Sequence, residues 1–219
     1  MNANTNELRA RFLRALSEAS AQRSGGPLFE ELLARYGEAH RRYHTIAHVD
    51  ACLGFFDWYR GSAEHPERVE LALWFHDAVS DPAASDNEQR SALLARARLA
   101  ELGLPREAID DIEAHVLATK GHRGSGPDTK LVIDLDLGIL AAPAPTFARF
   151  EREIRQEYGH VPQQTFAIGR RALLSGFLAR RAIYSVPALR EELEAPARQN
   201  LEQRILELAS DVSDVAVSS

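Results

Sequence analysis

The sequence contains one cysteine, Cys52, and no long hydrophobic run. A single cysteine cannot form an internal disulfide, so covalent cross-links within the chain are excluded. No segment approaches the roughly 18 uninterrupted apolar residues that a membrane span requires. The N-terminal segment MNANTNELRARFLRALSEAS is charged and amphipathic rather than apolar like a secretory signal. We therefore expect a cytoplasmic protein with no membrane partner.

Basic residues are also in deficit. Lys and Arg number 26 against 32 Asp and Glu, which gives a net charge of −6 and a pI near 5.8. A surface with this balance is not built to collect nucleic-acid phosphates non-specifically. We expect no nucleic-acid partner, and any phosphate that the protein handles should be small.

Strand-like alternation of apolar and polar residues is lacking, whereas helical periodicity is present almost throughout. Leu8, Phe12 and Leu16, for example, recur at intervals of four residues. The 219 residues, of which 45% are hydrophobic, are enough to form a substantial core. The sequence therefore predicts an all-α protein with a single domain over residues 1–219.

Helix starts are marked by prolines that suit a first helical turn and by the capping-box spacing of Ser85 and Glu88. The run LVIDLDLGIL at 131–140 is the one segment that could be a strand, and we assign it to a helix. Helices are predicted at 5–22, 27–37, 45–60, 66–79, 86–102, 105–119, 129–140, 146–158, 163–183 and 197–210.

The spacing of two histidines suggests a metal site. His44 and His48 are four residues apart, so a helix would place them on one face. Two imidazoles at that spacing can converge on an ion such as Zn²⁺, or they can be ordinary hydrogen-bonded histidines. A metalloprotease helix would carry Glu after the first histidine, and Thr45 excludes that class here. Cys52 continues the stripe and is interpreted as a small core residue.

Two further segments place acidic residues beside apolar runs. The run LALWF ends in His76 and Asp77, which point about 100° apart on a helix and could share an ion only beside its end. The alternative is a histidine that interacts with the helix dipole. Asp134 and Asp136 interrupt LVIDLDLGIL, and a buried carboxylate needs a cation, an arginine or strong donors.

The order of these elements resembles the HD-domain superfamily of metal-dependent phosphohydrolases: a helical histidine, then His76-Asp77, then an aspartate in DLDL. Further strings are similar to one subfamily of small predicted HD hydrolases, namely RYHTIAHV, LWFHDAV, DNEQRSA, ATKGH, DLDLGIL, REIRQEYGHVP and GRRALLSGFLARRAIY. The resemblance spans about residues 28–185. It implies a compact all-α bundle with a central metal site, on which the N- and C-terminal helices pack.

The resemblance implies that His48, His76, Asp77 and Asp136 bind one divalent metal ion. Asp136 matches the second aspartate of the family's Asp-x-Asp pattern, which leaves Asp134 to orient a ligand or a partner arginine. The ion would be one of Mn, Fe, Co, Ni, Mg or Zn, and the oxygen-rich ligation favours the first five over a closed structural zinc site.

The implied reaction is hydrolysis of a nucleotide or another small phosphorylated metabolite by a metal-activated water. Its phosphate would need positive partners, for which Lys120, His122, Arg155 and Arg170 are candidates. His44 and Glu88 are candidates to line the substrate site. The catalytic residues implied are Asp77, Asp81, Lys120 and His122.

The chain departs from the family pattern at Ser80. Some nucleotide-cleaving relatives carry a catalytic Glu three residues after the HD pair, where this chain has Ser80 followed by Asp81. Asp81 could act as general base, or the activated water could need no dedicated base. The same departure leaves open a metal-binding sensor or interaction module without turnover.

Two alternatives concern other residues. A second metal ion, and with it a di-iron oxygenase, would recruit His115 and His122, but His115 lies in the apolar segment IDDIEAHVLA, which favours a core histidine and one metal. In the blandest alternative, the histidines and carboxylates only pair with one another. The late segment GRRALLSGFLARRAIY could pack internally or form the face of a homodimer.

Overall fold

The computed structural model describes the backbone of residues 4–217 and the side chains of residues 4–210. No strand occurs among these residues, so the all-α prediction is confirmed. Two 3₁₀ helices cover Arg60–Ser62 and Leu137–Ala141. No single helix of the described chain is long and apolar enough to cross a membrane. The α-helices, α1 to α10 in chain order, run over Thr5–Glu18, Gly26–Tyr36, Ile46–Tyr59, Pro66–Phe75, Asn87–Glu101, Arg106–Thr119, Pro127–Asp136, Ala144–Glu157, Gln163–Leu178 and Pro187–Val217.

The chain groups into two compact units, the first ending at Asp136 and the second beginning at Leu137. The first unit contains α1 to α7, and the second contains α8 to α10. All four predicted metal ligands belong to the first unit. The single domain over residues 1–219 stays a prediction.

Helix α4 lies at the centre of the first unit. All residues from Val69 to Phe75 are buried, as expected for a helix surrounded by other helices. The Trp74 ring packs edge-on against Phe12 of α1 at 5.2 Å and against Phe29 of α2 at 5.9 Å between ring centroids. Burial of each of these large side chains stabilises the fold by about 2–3 kcal/mol. The C-terminal end of α4 is therefore held by packed aromatic side chains.

A buried carboxylate ties α4 to two neighbours. Glu70 of α4 is only 1% exposed. It accepts hydrogen bonds from Arg11 of α1 at 2.9 Å and from Arg60, after α3, at 2.6 Å. Both guanidinium groups compensate the buried charge, and the shared carboxylate ties α4 to α1 and to the segment after α3.

Helices α4 and α7 run side by side in the same direction. Asp128, in the first turn of α7, accepts hydrogen bonds from the backbone N–H groups of Glu64 and His65 at 2.7 and 2.8 Å, just before α4 begins. Both helices have ten residues, or about 15 Å at 1.5 Å per residue. Their far ends therefore meet as well, and there His76 faces Asp136.

The structure confirms that prolines mark helix starts. Pro27 lies in the first turn of α2, Pro66 and Pro187 open α4 and α10, and Pro105 directly precedes α6. Proline suits these positions because its fixed φ is helical and the N–H that it lacks would have no partner there. The helical assignment of LVIDLDLGIL is also confirmed, although the α-helix ends at Asp136 and a 3₁₀ helix follows.

Several predicted helix ends are wrong. The capping box of Ser85 and Glu88 is absent, because α5 begins at Asn87 after Asp86 without a side-chain cap. Helix α4 ends at Phe75 instead of residue 79. The N–H of Val79 does not continue the helical pattern, because it donates to Oγ of Ser91 at 3.0 Å. Helix α1 ends four residues early because Ser20 adopts the left-handed conformation, with φ of 65°.

Helix α10 begins ten residues before its predicted start and continues through Pro196. An interior proline costs about 3 kcal/mol relative to alanine. Leu193, Ala197 and Leu201, on either side of it, are all buried. We attribute the continuous helix to this packing, which outweighs the lost hydrogen bond.

Candidate metal centre

Three segments of the first unit bring the predicted ligands together. His48 lies in the first turn of α3. His76 and Asp77 follow the last residue of α4, and Asp136 is the last residue of α7. The expectation that His76 and Asp77 could share an ion only beside the end of their helix matches this arrangement. The parallel packing of α4 and α7 places the remaining carboxylate opposite them.

The facing atoms of these four side chains are close together. The Nε2 atoms of His48 and His76 are 3.0 Å apart. The Asp77 Oδ2 atom is 3.0 Å from His76 Nε2 and 3.6 Å from His48 Nε2. The Asp136 Oδ1 atom is 3.3 Å from His48 Nε2 and 3.6 Å from His76 Nε2. Both imidazoles and both carboxylates therefore point toward one volume.

These separations fit a metal site. Metal–ligand bonds of about 2.1 Å place neighbouring donor atoms about 3.0 Å apart at right angles and about 3.4 Å apart at the tetrahedral angle. One ligand atom from each of four residues lies within 4.8 Å of the others, so this group could hold a metal ion: His48, Cys52, His76 and Asp136. Asp77 adds a second carboxylate that approaches both imidazoles.

The site is closed on the imidazole side and open on the carboxylate side. The side chains of His48 and His76 are 3% and 1% exposed, whereas those of Asp77 and Asp136 are 23% and 15% exposed. His122, beside Asp136, is 24% exposed. A small molecule could therefore approach the group along the edge formed by the carboxylates and His122.

The tautomer of His76 follows from its backbone contact. Its Nδ1 atom lies 2.9 Å from the carbonyl oxygen of Leu73. A carbonyl oxygen can only accept, so Nδ1 carries the hydrogen and donates it. The lone pair of neutral His76 is then on Nε2, which faces His48 and the two carboxylates. In metal-binding histidines, a hydrogen bond from the other ring nitrogen usually fixes the tautomer in this way.

The electrostatic field of the site favours a cation. Burial disfavours the charged form of His76, but Asp77 and Asp136 outweigh it and raise the pKa of the imidazole well above its usual value. Burial likewise opposes ionisation of both carboxylates, and yet His76 and His44 lower the pKa of Asp77. Hydrogen bonds from His122, His48 and His76 lower that of Asp136. Both carboxylates therefore stay ionised and attract positive charge.

Cys52 lies against His48 one turn further along α3. Its Sγ atom is 3.8 Å from both ring nitrogens of His48 and 3.9 Å from the carbonyl oxygen of Leu135. Burial raises the pKa of the thiol well above its usual value, and the charges of Asp136 and Asp77 raise it further. Because the thiolate is the form that binds metals, the protonated thiol is a weaker donor than the four predicted ligands.

Arg41 organises the backbone around the site, a role that sequence patterns do not predict. Its buried guanidinium donates to the carbonyl oxygens of His44 at 2.9 Å, Asp77 at 2.8 Å and Ala78 at 3.2 Å. It also binds Glu38 at 3.0 Å. Arg41 thus joins the segment before α3 to the turn after α4, which are the two segments that present His48 and Asp77. No sequence pattern separates this arginine from those at the surface.

His122 contacts the metal group directly. Its Nε2 atom lies 3.1 Å from Oδ2 of Asp136, the carboxylate oxygen that does not face the two buried imidazoles. His122 has a φ of 52° and follows Gly121, whose φ is 81°. A left-handed conformation costs a residue other than glycine about 1–2 kcal/mol. The backbone bond from His122 N–H to Thr119 at 3.1 Å helps to hold it.

Lys120 and Asp81 are engaged in loops. The Lys120 ammonium donates to the carbonyl oxygen of Ser85 at 2.7 Å. Oδ1 of Asp81 accepts from the backbone N–H of Ala83 at 2.9 Å, within its own turn. Neither contact reaches a predicted metal ligand.

His44 and Glu88 occupy different environments. His44 lies before α3 rather than on it, so the predicted helical pairing with His48 is wrong. The two rings are nevertheless 6.1 Å apart and nearly perpendicular. The charge of His44 also helps to lower the pKa of Asp77. Glu88 is partly buried in the first turn of α5.

Arg155 and Arg170 belong to the second unit, where their guanidinium groups already have partners. Arg170 donates to the buried carboxylate of Glu151 at 2.5 Å. Arg155 donates to the carbonyl oxygens of Tyr158 at 2.6 Å and Val161 at 2.9 Å. These contacts account for both side chains as structural elements of the second unit, and their predicted roles in substrate binding stay predictions.

His115 and Asp134 are two further residues for which the sequence suggests a role near the metal. Nδ1 of His115 lies 3.0 Å from Oγ1 of Thr129, which agrees with a hydrogen-bonded core histidine. His115 is not part of the metal-holding group found among the described residues. Asp134 is fully buried, two residues before Asp136 on α7.

Comparison with known proteins gives no indication of function for this chain. The chain matches no protein-family model, no curated protein and no solved structure. The resemblance to HD-domain phosphohydrolases therefore stays a prediction from sequence motifs.

Proposed function

We propose that this chain is a metal-dependent phosphohydrolase of the HD-domain superfamily. Its substrate would be a nucleotide or another small phosphorylated metabolite. The observation that carries the proposal is the convergence of His48, His76, Asp77 and Asp136, in which the two imidazole Nε2 atoms lie 3.0 Å apart and 3.0 to 3.6 Å from an oxygen of each carboxylate. These are the four residues that the HD-domain motifs select in the sequence.

The donor set supports a catalytic rather than a structural site. Two imidazoles and two carboxylates suit Mn²⁺, Fe²⁺, Co²⁺, Ni²⁺ or catalytic Zn²⁺, with Mg²⁺ less favoured by the nitrogen donors. A divalent ion bound there would supply Lewis-acid activation of water and of the phosphoryl oxygen. The partial exposure of Asp77 and Asp136 leaves an open side at which substrate can approach.

His122 is the best supported candidate for proton transfer. Its imidazole touches the carboxylate of Asp136 and is partly exposed at the open edge. A histidine so placed can hold or donate a proton to the departing oxygen of a phosphate ester. Asp81, the alternative base, instead caps its own turn.

Positive charge for the phosphate would come from the edge that carries His122. Lys120 lies two residues before it, at the end of α6, and its ammonium contacts only the carbonyl oxygen of Ser85 among the described atoms. A single bond to a neutral carbonyl leaves the charge uncompensated, so the ammonium could swing toward a bound phosphate.

The arrangement favours one metal ion over two. A second ion would need further histidine ligands, and Nδ1 of His115 already forms a hydrogen bond with Thr129. This supports hydrolysis over the di-iron oxygenase chemistry that was considered from the sequence.

Phosphate release from a panel of nucleotides and small phosphate esters, with Mn²⁺, Co²⁺, Ni²⁺ or Fe²⁺ added in turn, tests the proposal. We expect metal-dependent release in the wild type, lowered at least about a hundredfold in Asp77→Asn and Asp136→Asn, because even indirect contacts of metal ligands are worth 10- to 100-fold. The matched control is Asp86→Asn, since Asp86 is exposed and lies outside the site.

Each other outcome assigns the protein to a different class. Stoichiometric metal binding without phosphate release from any member of the panel would support a non-catalytic metal-binding module. Two irons per chain with oxygen consumption would support the oxygenase alternative. Release that is equal in Asp77→Asn and in the wild type would show that the four residues are not the active site.

A further inference from the structure

We propose that the second unit contains a binding site for the diphosphate or triphosphate group of a small molecule. The site is a cavity of about 700 Å³ between the end of α9 and the start of α10. Four of its six lining residues are arginines, and the lining comprises Arg180, Arg181, Ala182, Arg190, Glu194 and Arg198. This inference does not depend on the proposed phosphohydrolase activity.

Glu194 is the one acidic residue among the six that line the cavity, and its carboxylate already has partners. The Glu194 carboxylate accepts from the backbone N–H groups of Ile183 and Tyr184 at 3.0 and 3.3 Å. It also forms an ion pair with Arg198 at 2.7 Å. Glu194 therefore offsets the charge of Arg198 and holds the turn before α10, and Arg181 and Arg190 contribute positive charge to the cavity.

Arg190 is held in place without being neutralised. Its guanidinium donates to the carbonyl oxygens of Tyr184 at 2.7 Å and Ser185 at 3.3 Å. Carbonyl oxygens fix the orientation of a guanidinium but carry no net charge to cancel its own. Arg190 is thus an oriented cation at the cavity wall, and little side-chain entropy would be lost when it binds an anion.

Arg180 and Arg181 contribute from the end of α9. The Arg180 guanidinium lies over the ring of Phe177, 4.5 Å from its centroid, which keeps the side chain against the wall. Arg181 is exposed, and its side chain forms no hydrogen bond or ion pair with the described part of the chain. It can therefore turn toward a ligand freely.

The wall that α10 contributes is one face of that helix, because Arg190, Glu194 and Arg198 recur every four residues and all three line the cavity. Guanidinium groups that converge on one cavity are complementary to a multiply charged anion.

The size and charge of the cavity select the class of ligand. A volume of about 700 Å³ is much larger than one phosphate and falls in the range of small-molecule sites. Planar guanidinium groups match the oxygens of phosphate in pairs, which favours a ligand with two or three phosphates. The net charge of −6 on the whole chain disfavours a nucleic acid as the ligand.

Calorimetric titration of the full chain with inorganic pyrophosphate, in chelator and without added metal, tests the site. We expect saturable binding whose Kd rises at least about tenfold in Arg181→Glu. That replacement reverses one ligand-facing charge and breaks no contact that the structure shows. The matched control is Arg171→Glu, which makes the same change of charge at an exposed position of α9 outside the cavity. We expect its Kd to stay within about twofold of the wild type.

Two more variants separate this site from the metal centre and from simple charge attraction. Asp77→Ala should bind pyrophosphate as the wild type does, because Asp77 belongs to the first unit. Arg190→Lys keeps the charge but loses the paired donors, and should weaken binding severalfold without unfolding the protein.

The proposal is overturned if the wild type shows no saturable binding at millimolar pyrophosphate. It is also overturned if both Arg→Glu variants lose affinity equally, or if Asp77→Ala abolishes binding. Tighter binding of a short single-stranded oligonucleotide that displaces pyrophosphate would assign the cavity to nucleic acid instead.

Discussion

At the scale of single residues, Arg41 holds the backbone on two sides of the candidate metal centre without touching a predicted metal-binding atom. Arg41→Met should lower the free energy of unfolding by about 2–4 kcal/mol, because it leaves buried carbonyl oxygens and Glu38 without their donor. The affinity for Mn²⁺ should fall about 10- to 100-fold, the size expected for a residue that orients ligands. Urea denaturation with chelator and a metal titration measure the two effects.

Arg41→Lys provides the control for this prediction. A lysine keeps the positive charge but cannot reach three carbonyl oxygens with a planar fork. Its stability should lie between those of the wild type and Arg41→Met, and its metal affinity should be partly restored. Wild-type metal affinity in Arg41→Met would show that Arg41 has no positioning role.

His115 makes stability depend on pH. Burial lowers its pKa, although Asp128 and Asp111 act in the opposite direction, and Arg68 and His65 add to the lowering. The folded protein therefore prefers neutral His115, whereas the unfolded chain binds a proton near pH 6.5. The stabilising contribution is complete above pH 6.5 and is lost as the pH falls below it.

The replacement His115→Gln tests this dependence. Between pH 7.5 and 5.5, the wild type should lose more unfolding free energy than the variant, because glutamine does not titrate. Urea denaturation at the two pH values gives the difference. An equal loss in both proteins would mean that His115 titrates alike in the folded and unfolded states.

Residue patterns predicted the candidate metal ligands better than the residues that position them. His48 stands out by its spacing from His44, His76 ends an apolar run and Asp136 interrupts one, and the structure brings the three together. Arg41 could not be found in this way, since its contacts are to backbone carbonyls that any arginine could bind. The helical pairing of His44 with His48 failed because α3 begins after His44.

At the scale of elements, Asp128 sets the register between α4 and α7. Asp128→Ala removes the acceptor for the N–H groups of Glu64 and His65 and should cost about 1–2 kcal/mol, as for the loss of a helix cap. Because the far ends of these helices carry His76 and Asp136, metal affinity should fall too. Denaturation and metal titration of the variant measure both quantities.

The comparison variant for Asp128→Ala is Asp86→Ala. Asp86 precedes α5 and makes no side-chain cap, so its loss should change stability by less than about 0.5 kcal/mol. If Asp128→Ala loses stability but keeps wild-type metal affinity, the ends of α4 and α7 are fixed by other contacts.

Helix positions could be predicted from the sequence more reliably than helix ends. Periodicity and first-turn prolines located the helices because both signals are local. The end of α4 depends on the contacts of its following turn with Ser91 and Arg41, and the path of α10 through Pro196 depends on buried leucines. These determinants are tertiary contacts, which a local pattern does not contain.

At the scale of the whole molecule, two compact units contain sites of opposite charge. The first unit presents ionised carboxylates around two imidazoles, which attract a cation. The second presents the arginine-lined cavity, which attracts an anion. Helical periodicity predicted the all-α fold, but the overall balance of charge did not reveal this separation, because a net charge of −6 averages over both surfaces.

The most direct test of the metal centre is elemental analysis of the full chain, purified without chelator or a metal-binding tag, beside Asp77→Ala, Asp136→Ala and the control Asp86→Ala. We predict about one transition metal per chain in the wild type and in Asp86→Ala, and its loss in the other two variants, because four ligands define the site. A wild-type protein that contains no metal and binds none when Mn²⁺, Ni²⁺ or Fe²⁺ is added would contradict the account. The histidines and carboxylates would then only pair with one another.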